Sequence, residues 1–136
     1  MPKLSLQSQT RLDECHPDLV AVVSEAIKEI DFTVVCGRRG KAEQERAFEL
    51  GRTKLHFPAS KHNVEPPGLS LAVDLAPFRE GTVQWGDSKA FILLAGIIKG
   101  VALAKGIKIR WSGDFNRNYN LHDDSFIDMP HFEIEG

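Results

Sequence analysis

Two histidines and two aspartates in this chain are of the residue types that hold a metal ion and move a proton. His62, Asp74 and His131 offer two imidazoles and a carboxylate, and Asp128 lies three residues before the last histidine. Zinc is commonly bound by imidazole nitrogens and carboxylate oxygens, and three protein ligands leave its fourth position open for water. The spare carboxylate could carry the proton of that water. The pattern predicts a zinc site of the catalytic kind and a small zinc hydrolase.

Each of these side chains also has an ordinary structural explanation. Taken alone, His62 is a solvated loop histidine and His131 is a histidine at a strand end near an acid. Asp74 interrupts an apolar strand, where a charge is costly unless it is paired or bound to a metal. The arginines that could pair with it instead are Arg38, Arg39 and Arg110.

Arg39 follows the apolar run Phe32 to Cys36, where the end of a strand commonly faces a cleft. Its guanidinium could bind a substrate carboxylate through two hydrogen bonds. It could also stabilise the oxyanion of a tetrahedral intermediate. Arg38 is its rival for both roles, and a surface arginine beside a turn is the structural alternative.

Length and composition predict one soluble globular domain over residues 1–136, with 42% hydrophobic and 26% charged residues. The balance of 17 basic and 19 acidic residues gives a net charge of -2, which argues against nucleic acid as a partner. No apolar run is long enough to span a bilayer, so no membrane insertion is expected. The N-terminal segment shows no signal peptide, and the chain is therefore expected to begin in a cytoplasm.

The two cysteines show no metal-binding spacing. Cys36 ends the apolar run and is expected to lie reduced in the core. Cys15 precedes a predicted helix and is expected to be partly exposed. Neither is predicted to be a nucleophile.

Helices alternate with short strands in the predicted order of elements. The predicted helices span about 17–30, 41–50 and 87–105. The predicted strands span about 32–36, 69–75, 82–85 and 107–111, with a last one from 131. Polar or proline-rich loops are predicted at 52–68 and 112–128. This order indicates the α+β class, with helices packed on a small, mainly antiparallel sheet.

The alternation in the strand 69–75 predicts which side chains share a face. Leu69, Leu71, Val73 and Leu75 are expected to share one face. Asp74 lies on the other face with the small residues Ser70 and Ala72, which leave room beside it for a site.

In its motifs the chain resembles zinc peptidases that act on bacterial cell walls, the D-alanyl-D-alanine carboxypeptidases and dipeptidases and the phage L-alanyl-D-glutamate endopeptidases. The family pattern is Ser-x-His, then Gly-x-Ala-x-Asp, then an acid three residues before a final His. The matching segments are Ser60-Lys61-His62, Ser70-Leu71-Ala72-Val73-Asp74 and Asp128-Met129-Pro130-His131. Further similar segments are Gly37-Arg38-Arg39, which precedes a helix containing Gln44, and Arg110 to Asn116. The resemblance covers about 31–134, and its order and spacing are most like those of the short phage endolysins.

This resemblance implies a role for each motif residue. His62, Asp74 and His131 would bind Zn²⁺, Asp128 would be the general base and later the acid, and Arg39 would hold the substrate or the oxyanion. Support for the substrate pocket would come from Ser60, Asp114 and Trp111. The implied fold is hedgehog/D-Ala-D-Ala-peptidase-like, with 1–136 as a single catalytic peptidase domain.

The chain departs from the family pattern at three points. His62 and Asp74 are further apart than is usual, which indicates a longer loop that bulges out while both ligands stay in place. Ser70 stands where glycine is usual. The base position holds Asp128 where many members have glutamate, and its shorter side chain changes the reach of the carboxylate.

The resemblance implies a monomeric endolysin that cleaves the stem peptide of bacterial peptidoglycan between L-Ala and D-Glu. Such a protein would wait in the host cytoplasm until another protein opens the membrane, although a bacterial or prophage origin is equally compatible. One alternative is a D,D-carboxypeptidase that removes terminal D-Ala. Another is a metal-stabilised cell-wall binding module without turnover. Asp128 argues against the module, because a structural zinc site needs no spare base and normally closes its fourth position.

Overall fold

The computed structural model of the chain describes residues 2–112 and 129–135. Its helices are α1 Leu6–Leu12, α2 Pro17–Ala26, α3 Lys41–Glu49 and α4 Ser88–Lys105. Its strands are β1 Phe32–Cys36, β2 Ala72–Arg79, β3 Thr82–Val83, β4 Ile109–Trp111 and β5 His131–Ile134. Two predicted site residues, Asp114 and Asp128, lie outside the described residues.

The strands form one antiparallel sheet in the order β1-β2-β5-β4, and β3 pairs with the far end of β2. The strand nearest the end of the chain, β5, therefore lies between two earlier strands. Helices α2 and α4 pack against each other, and α4 also contacts β2 and β4. The predicted α+β class with a mainly antiparallel sheet is confirmed.

Local sequence explains the boundaries of α4. The Asp87 side chain accepts a hydrogen bond from the backbone N–H of Ala90 at 3.1 Å, which caps the first turn. The helix ends at Gly106, whose φ of 71° favours glycine. Its buried face is formed by Phe91, Leu94, Ala95, Ile98 and Ala102. None of the helices within the described ranges has the length and apolar character needed to cross a membrane.

One helix is not among those predicted, and one predicted helix boundary is corrected. The additional helix α1 begins where the Ser5 side chain accepts a hydrogen bond from Ser8 N–H at 3.1 Å, whereas α2 begins at Pro17 as predicted. Helix α2 ends at Ala26 rather than at Ile30. Turns carry the chain from there to β1.

The predicted strand 69–75 is also corrected, because β2 begins at Ala72 and continues to Arg79. Leu69 and Leu71 are 44% and 40% exposed whereas Val73 and Leu75 are buried, so the prediction that these four residues share one face is wrong. Ser70 is fully buried instead. Its backbone N–H donates to Glu14 O at 2.8 Å and its carbonyl accepts from His16 N–H at 2.8 Å. Contact with this N-terminal segment, rather than with the sheet, sets the position of Ser70.

Cys15 is buried, contrary to the predicted partial exposure. Gly37 packs so closely against Cys15 that a Cβ atom at position 37 would lie 3.2 Å from the Cys15 sulfur. Burial raises the pKa of the Cys15 thiol to about 12. The thiol is therefore neutral at physiological pH and acts as a small apolar core group.

Candidate active site

The sheet register places three side chains with metal-binding atoms next to one another. Cys36 on β1 is the partner of Asp74 on β2, and Asp74 is the partner of His131 on β5. Directly paired residues of antiparallel strands present their side chains on the same face. The predicted ligands Asp74 and His131 are thus brought together by strands that are distant in the sequence.

Cys36 faces this site and does not lie in the core, which corrects the sequence prediction. The pairing of β1 with β2 is irregular between Val34 and Cys36. An extra residue at such a bulge changes the direction in which the following side chains point. Val35 and Cys36, which would face opposite sides of a regular strand, consequently line the same cavity.

His62 comes from the loop between α3 and β2 and is only 2% exposed. Backbone hydrogen bonds hold the loop on both sides, from Arg39 N–H to His62 O at 2.8 Å and from Leu71 N–H to Lys61 O at 3.0 Å. The predicted pocket residue Ser60 is buried, and its hydroxyl oxygen accepts from His62 N–H at 3.2 Å. Ser60 therefore orients the segment that carries the imidazole.

One nitrogen or oxygen from each of His62, Asp74 and His131 converges on a common point. His62 Nε2 lies 3.0 Å from Asp74 Oδ1 and 3.2 Å from His131 Nδ1, and His131 Nδ1 lies 3.2 Å from Asp74 Oδ1. Zinc bonds of about 2.0–2.1 Å in tetrahedral geometry separate neighbouring ligand atoms by roughly 3.3 Å. The three atoms are therefore spaced as ligands of one small divalent cation.

The second nitrogen of each imidazole has its own hydrogen-bond acceptor. His62 Nδ1 donates to the carbonyl of Gly37 at 2.7 Å, and His131 Nε2 donates to Glu133 Oε1 at 2.8 Å. A proton fixed on the outer nitrogen leaves the inner nitrogen with the lone pair that a metal needs. The Glu133 carboxylate is paired with Lys61 Nζ at 3.7 Å. Glu133 is not among the predicted site residues, although its spacing of two from His131 on a strand predicts a shared face.

Electrostatics favour a cation between these groups. Burial disfavours a charged imidazole, but the Asp74 carboxylate raises the pKa of His62 to about 10. Burial likewise opposes protonation of His131, while its hydrogen bonds to the Asp74 and Glu133 carboxylates raise its pKa. Against its own burial, Asp74 has a pKa well below the usual range because of the two imidazoles. The buried Asp74 carboxylate thus favours positive charge beside it, and a bound cation would meet the same carboxylate.

The sulfur of Cys36 extends this donor set. Cys36, His62 and Asp74 form a group that could hold a metal ion, with one donor atom from each lying within 4.8 Å of the others. However, Cys36 Sγ lies 3.9 Å from Nδ1 of His62, the nitrogen that already bonds to Gly37. The shorter distances among His62, Asp74 and His131 favour those three as the primary ligands.

Of the two candidate arginines, Arg39 is the one at the site. Its Nη2 lies 3.8 Å from Asp74 Oδ2, the oxygen that faces away from the two imidazoles. Arg38 instead pairs with Glu14 at 3.8 Å and donates to Gly68 O at 3.1 Å. The ion-pair alternative for Asp74 is thus realised with Arg39, in addition to the contacts with both histidines.

A buried glutamine fixes Arg39 in place. Gln44 on α3 is fully buried, and its Oε1 accepts from Arg39 Nη1 at 3.0 Å and from Asn63 Nδ2 at 2.9 Å. Its Nε2 donates to Leu55 O at 2.6 Å. The amide therefore connects the arginine, the histidine loop and the segment after α3.

Trp111, predicted to support the pocket, is buried at the end of β4. Its indole N–H donates to Met129 O at 2.8 Å, and its ring stacks on Phe132 with centroids 6.5 Å apart. These contacts position the start of β5, which carries His131. The neighbouring residue Ser112 lines the cavity.

The donor atoms open into a cavity of about 720 Å³. One wall is formed by α3 and the segment that follows it, and the other by the site residues. Pockets for small ligands commonly have volumes of this size. The cavity lining includes the basic residues Arg39, Arg46, Arg52, Lys54 and Lys61.

The chain is similar to known proteins in both sequence and structure. A family model described as phage L-alanyl-D-glutamate peptidase matches residues 1–135. The L-alanyl-D-glutamate peptidase of Escherichia phage T5 is 27% identical over 124 residues, which cover 90% of this chain and 88% of that protein. The crystal structure of the Serratia marcescens L-Ala D-Glu endopeptidase ChiX has 25% identity and a TM-score of 0.76, and the match covers 98% of this chain and 91% of that one. The predicted family resemblance is confirmed.

Proposed function

Because the chain belongs to the phage L-alanyl-D-glutamate peptidase family and is an L-alanyl-D-glutamate peptidase of peptidoglycan, we propose that its activity depends on zinc held by His62, Asp74 and His131. The observation that carries the proposal is the mutual approach of their three donor atoms to 3.0–3.2 Å. The hydrogen bonds from His62 Nδ1 to Gly37 O and from His131 Nε2 to Glu133 Oε1 add support, because they leave His62 Nε2 and His131 Nδ1 as the nitrogens that would bind the metal.

Zinc fits this donor set better than the harder cations do. Calcium and magnesium prefer sets made of oxygen ligands, whereas two imidazoles and a carboxylate suit zinc. When bound with an open position, zinc supplies a Lewis acid and lowers the pKa of water to about 7. The protein's part is to hold the ligands in a fixed arrangement and to provide a proton carrier.

We assign the proton carrier to Asp128, on sequence alone, since this residue lies outside the described part of the chain. Its carboxylate would take a proton from the attacking water and return it to the amine that leaves. No second role for Asp128 in metal binding is needed, because three ligands are already present. A cell-wall binding module without turnover would not require such a general base.

Arg39 is proposed to act chiefly on Asp74 and on the developing oxyanion. Its guanidinium is 17% exposed and is held by Asp74, Gln44 and Cys36. A positive group kept so close to the site can stabilise negative charge that develops during the reaction without reorganising. Its predicted use as a substrate clamp has less support, because three protein partners already hold its side chain.

The biological role proposed for the peptidase is that of an endolysin. It would act on the host cell wall after another protein has opened the membrane, as the family resemblance implies. We propose that a single copy is sufficient, since His62, Asp74 and His131 all come from one chain.

The test is digestion of purified peptidoglycan by the chelator-stripped protein, before and after addition of Zn²⁺. Mass spectrometry of the products is expected to show new N-terminal D-Glu, with L-Ala left on the glycan, only in the zinc-loaded sample. Equal activity after complete metal removal would refute the zinc dependence. Free D-Ala would point to the carboxypeptidase alternative, and wall binding without any product to the binding module.

A further inference from the structure

The cavity next to the donor atoms has an excess of positive charge although the chain as a whole has a net charge of -2. Its acidic lining residues already have partners. Glu43 accepts from Gly40 N–H at 3.3 Å, Asp74 contacts the two imidazoles, and Glu133 contacts His131. The cavity therefore attracts an anionic ligand.

Of the five basic lining residues, Lys54 has an interaction of its own, and the other four divide into two groups. Arg39 and Lys61 are engaged at the site, with Asp74 and Glu133 respectively. Arg46 and Arg52 are exposed and, within the described residues, their guanidinium groups have neither a hydrogen bond nor an ion pair. These two arginines are available to a ligand.

The wall that carries Arg46 and Arg52 is held in position relative to the donor atoms. Arg46 lies in the last turn of α3, and Arg52 follows Gly51, which comes directly after the C-cap of this helix and has a φ of 72°. Buried Gln44 joins this wall to Arg39 and to Leu55. The arginines therefore face the cavity from a fixed support rather than from an isolated loop.

The proposed substrate supplies a matching anion. A glutamyl residue whose amine forms the scissile amide has two carboxyl groups, and the peptide can continue through only one of them. The other is a free carboxylate, close to the scissile bond, unless it is amidated. A dipeptide spans about 7 Å, so the cavity can hold both the bond and this group.

We propose that Arg46 and Arg52 form an anion subsite for the free carboxylate of the D-glutamyl residue. The inference rests on the proposed function and deepens it, because it assigns substrate specificity to residues outside the metal site. Guanidinium groups suit this role, since they bind carboxylates through paired hydrogen bonds. Arg39, which is held by three protein groups, is not required for it.

The test compares two synthetic stem peptides that differ only in having a free or an amidated D-glutamyl carboxylate. The wild-type protein is expected to favour the free carboxylate by about tenfold or more in kcat/KM, as for a lost hydrogen bond to a charged group. In the double variant Arg46→Gln, Arg52→Gln this preference should fall to about one, mainly through a higher KM for the charged peptide. Glutamine preserves helix propensity at position 46, so the fold is maintained.

Arg79→Gln is the matched control, because Arg79 is exposed and pairs with Asp87 away from the cavity. It should retain the wild-type preference. A double variant that still prefers the charged peptide would overturn the subsite, as would a wild type that cuts both peptides equally. A wild type that cuts neither peptide would instead reject the proposed function, and the subsite with it.

Discussion

The carboxylate of Glu133 lies 2.8 Å from Nε2 of His131, two residues earlier on the same strand. Residues two apart on a strand share a face, so β5 supplies both a proposed ligand and the group that orients it. Such outer partners commonly change metal affinity by 10–100-fold when they are removed. An outer partner of this kind is expected of the proposed metal site and is not required by a chance meeting of two histidines and an acid.

Glu133→Ala is therefore expected to weaken zinc binding by about 10–100-fold while the protein remains folded. Glu133→Gln, which keeps an acceptor oxygen, should recover part of the affinity. Competition with a chromophoric chelator measures both effects. Glu29→Ala, at an exposed position, serves as the control, and an unchanged affinity in Glu133→Ala would remove Glu133 from this role.

His131→Ala is expected to lose both bound zinc and activity, because only His62 and Asp74 of the proposed ligands would remain. Metal content by atomic absorption and peptide cleavage check the two effects. The matched variant is His16→Asn, which changes a histidine outside the site but keeps an acceptor for the Asp18 N–H at the start of α2. Zinc retained at full occupancy in His131→Ala would show that His131 is not a ligand.

Asp128→Ala should separate metal binding from proton transfer. The variant is expected to keep zinc at wild-type stoichiometry and to lose turnover by about 10²–10⁴-fold, the usual contribution of a general acid–base group. Asp128→Glu should restore part of the rate because it keeps a carboxylate. Full turnover in the alanine variant would exclude Asp128 from the mechanism.

Zinc binding is expected to release protons at pH 7. The pKa of His62 is raised to about 10 in the metal-free protein, so its inner nitrogen is protonated at neutral pH and must lose that proton to bind the ion. Affinity should consequently increase with pH up to about 10. Calorimetry in buffers of different ionisation enthalpy measures the release, and heats that do not depend on the buffer would contradict it.

Replacement of Gln44 tests the support behind the site. Gln44→Leu keeps the volume but leaves Leu55 O and Asn63 Nδ2 without their buried partner, and it is expected to lower the free energy of unfolding by about 1–3 kcal/mol. Urea denaturation of the metal-free protein gives the value. Gln7→Leu, at an exposed position on α1, should change stability by less than about 0.5 kcal/mol.

The sequence predicts those parts of the fold that depend on local interactions. The start of α4 follows from Asp87 as a cap, and its end from Gly106. The start of the strand that carries Asp74 is less predictable. The alternation of Leu69, Leu71 and Val73 begins three residues before β2 itself begins at Ala72. That start is fixed by Ser70 contacting the N-terminal segment, which no local pattern can indicate.

The candidate site divides in the same way. His62, Asp74 and His131 are predicted from residue type and motif, and the structure brings them together. The orientation of Cys36 toward the site depends on a bulge in the pairing of β1 with β2. Likewise, the selection of Arg39 over Arg38 depends on Glu14 engaging the latter. Both result from contacts between distant segments, which a single sequence does not specify.

The position of β5 between β2 and β4 sets the order in which the site can be completed. Among the described strands β5 comes last in chain order, yet it fills the gap between two strands made earlier and delivers His131. A nascent chain can therefore have the correct helices and two of the three proposed ligands and still be inert. Only after residue 134 has left the ribosome can the sheet close, so each newly made molecule is expected to be inactive until that point.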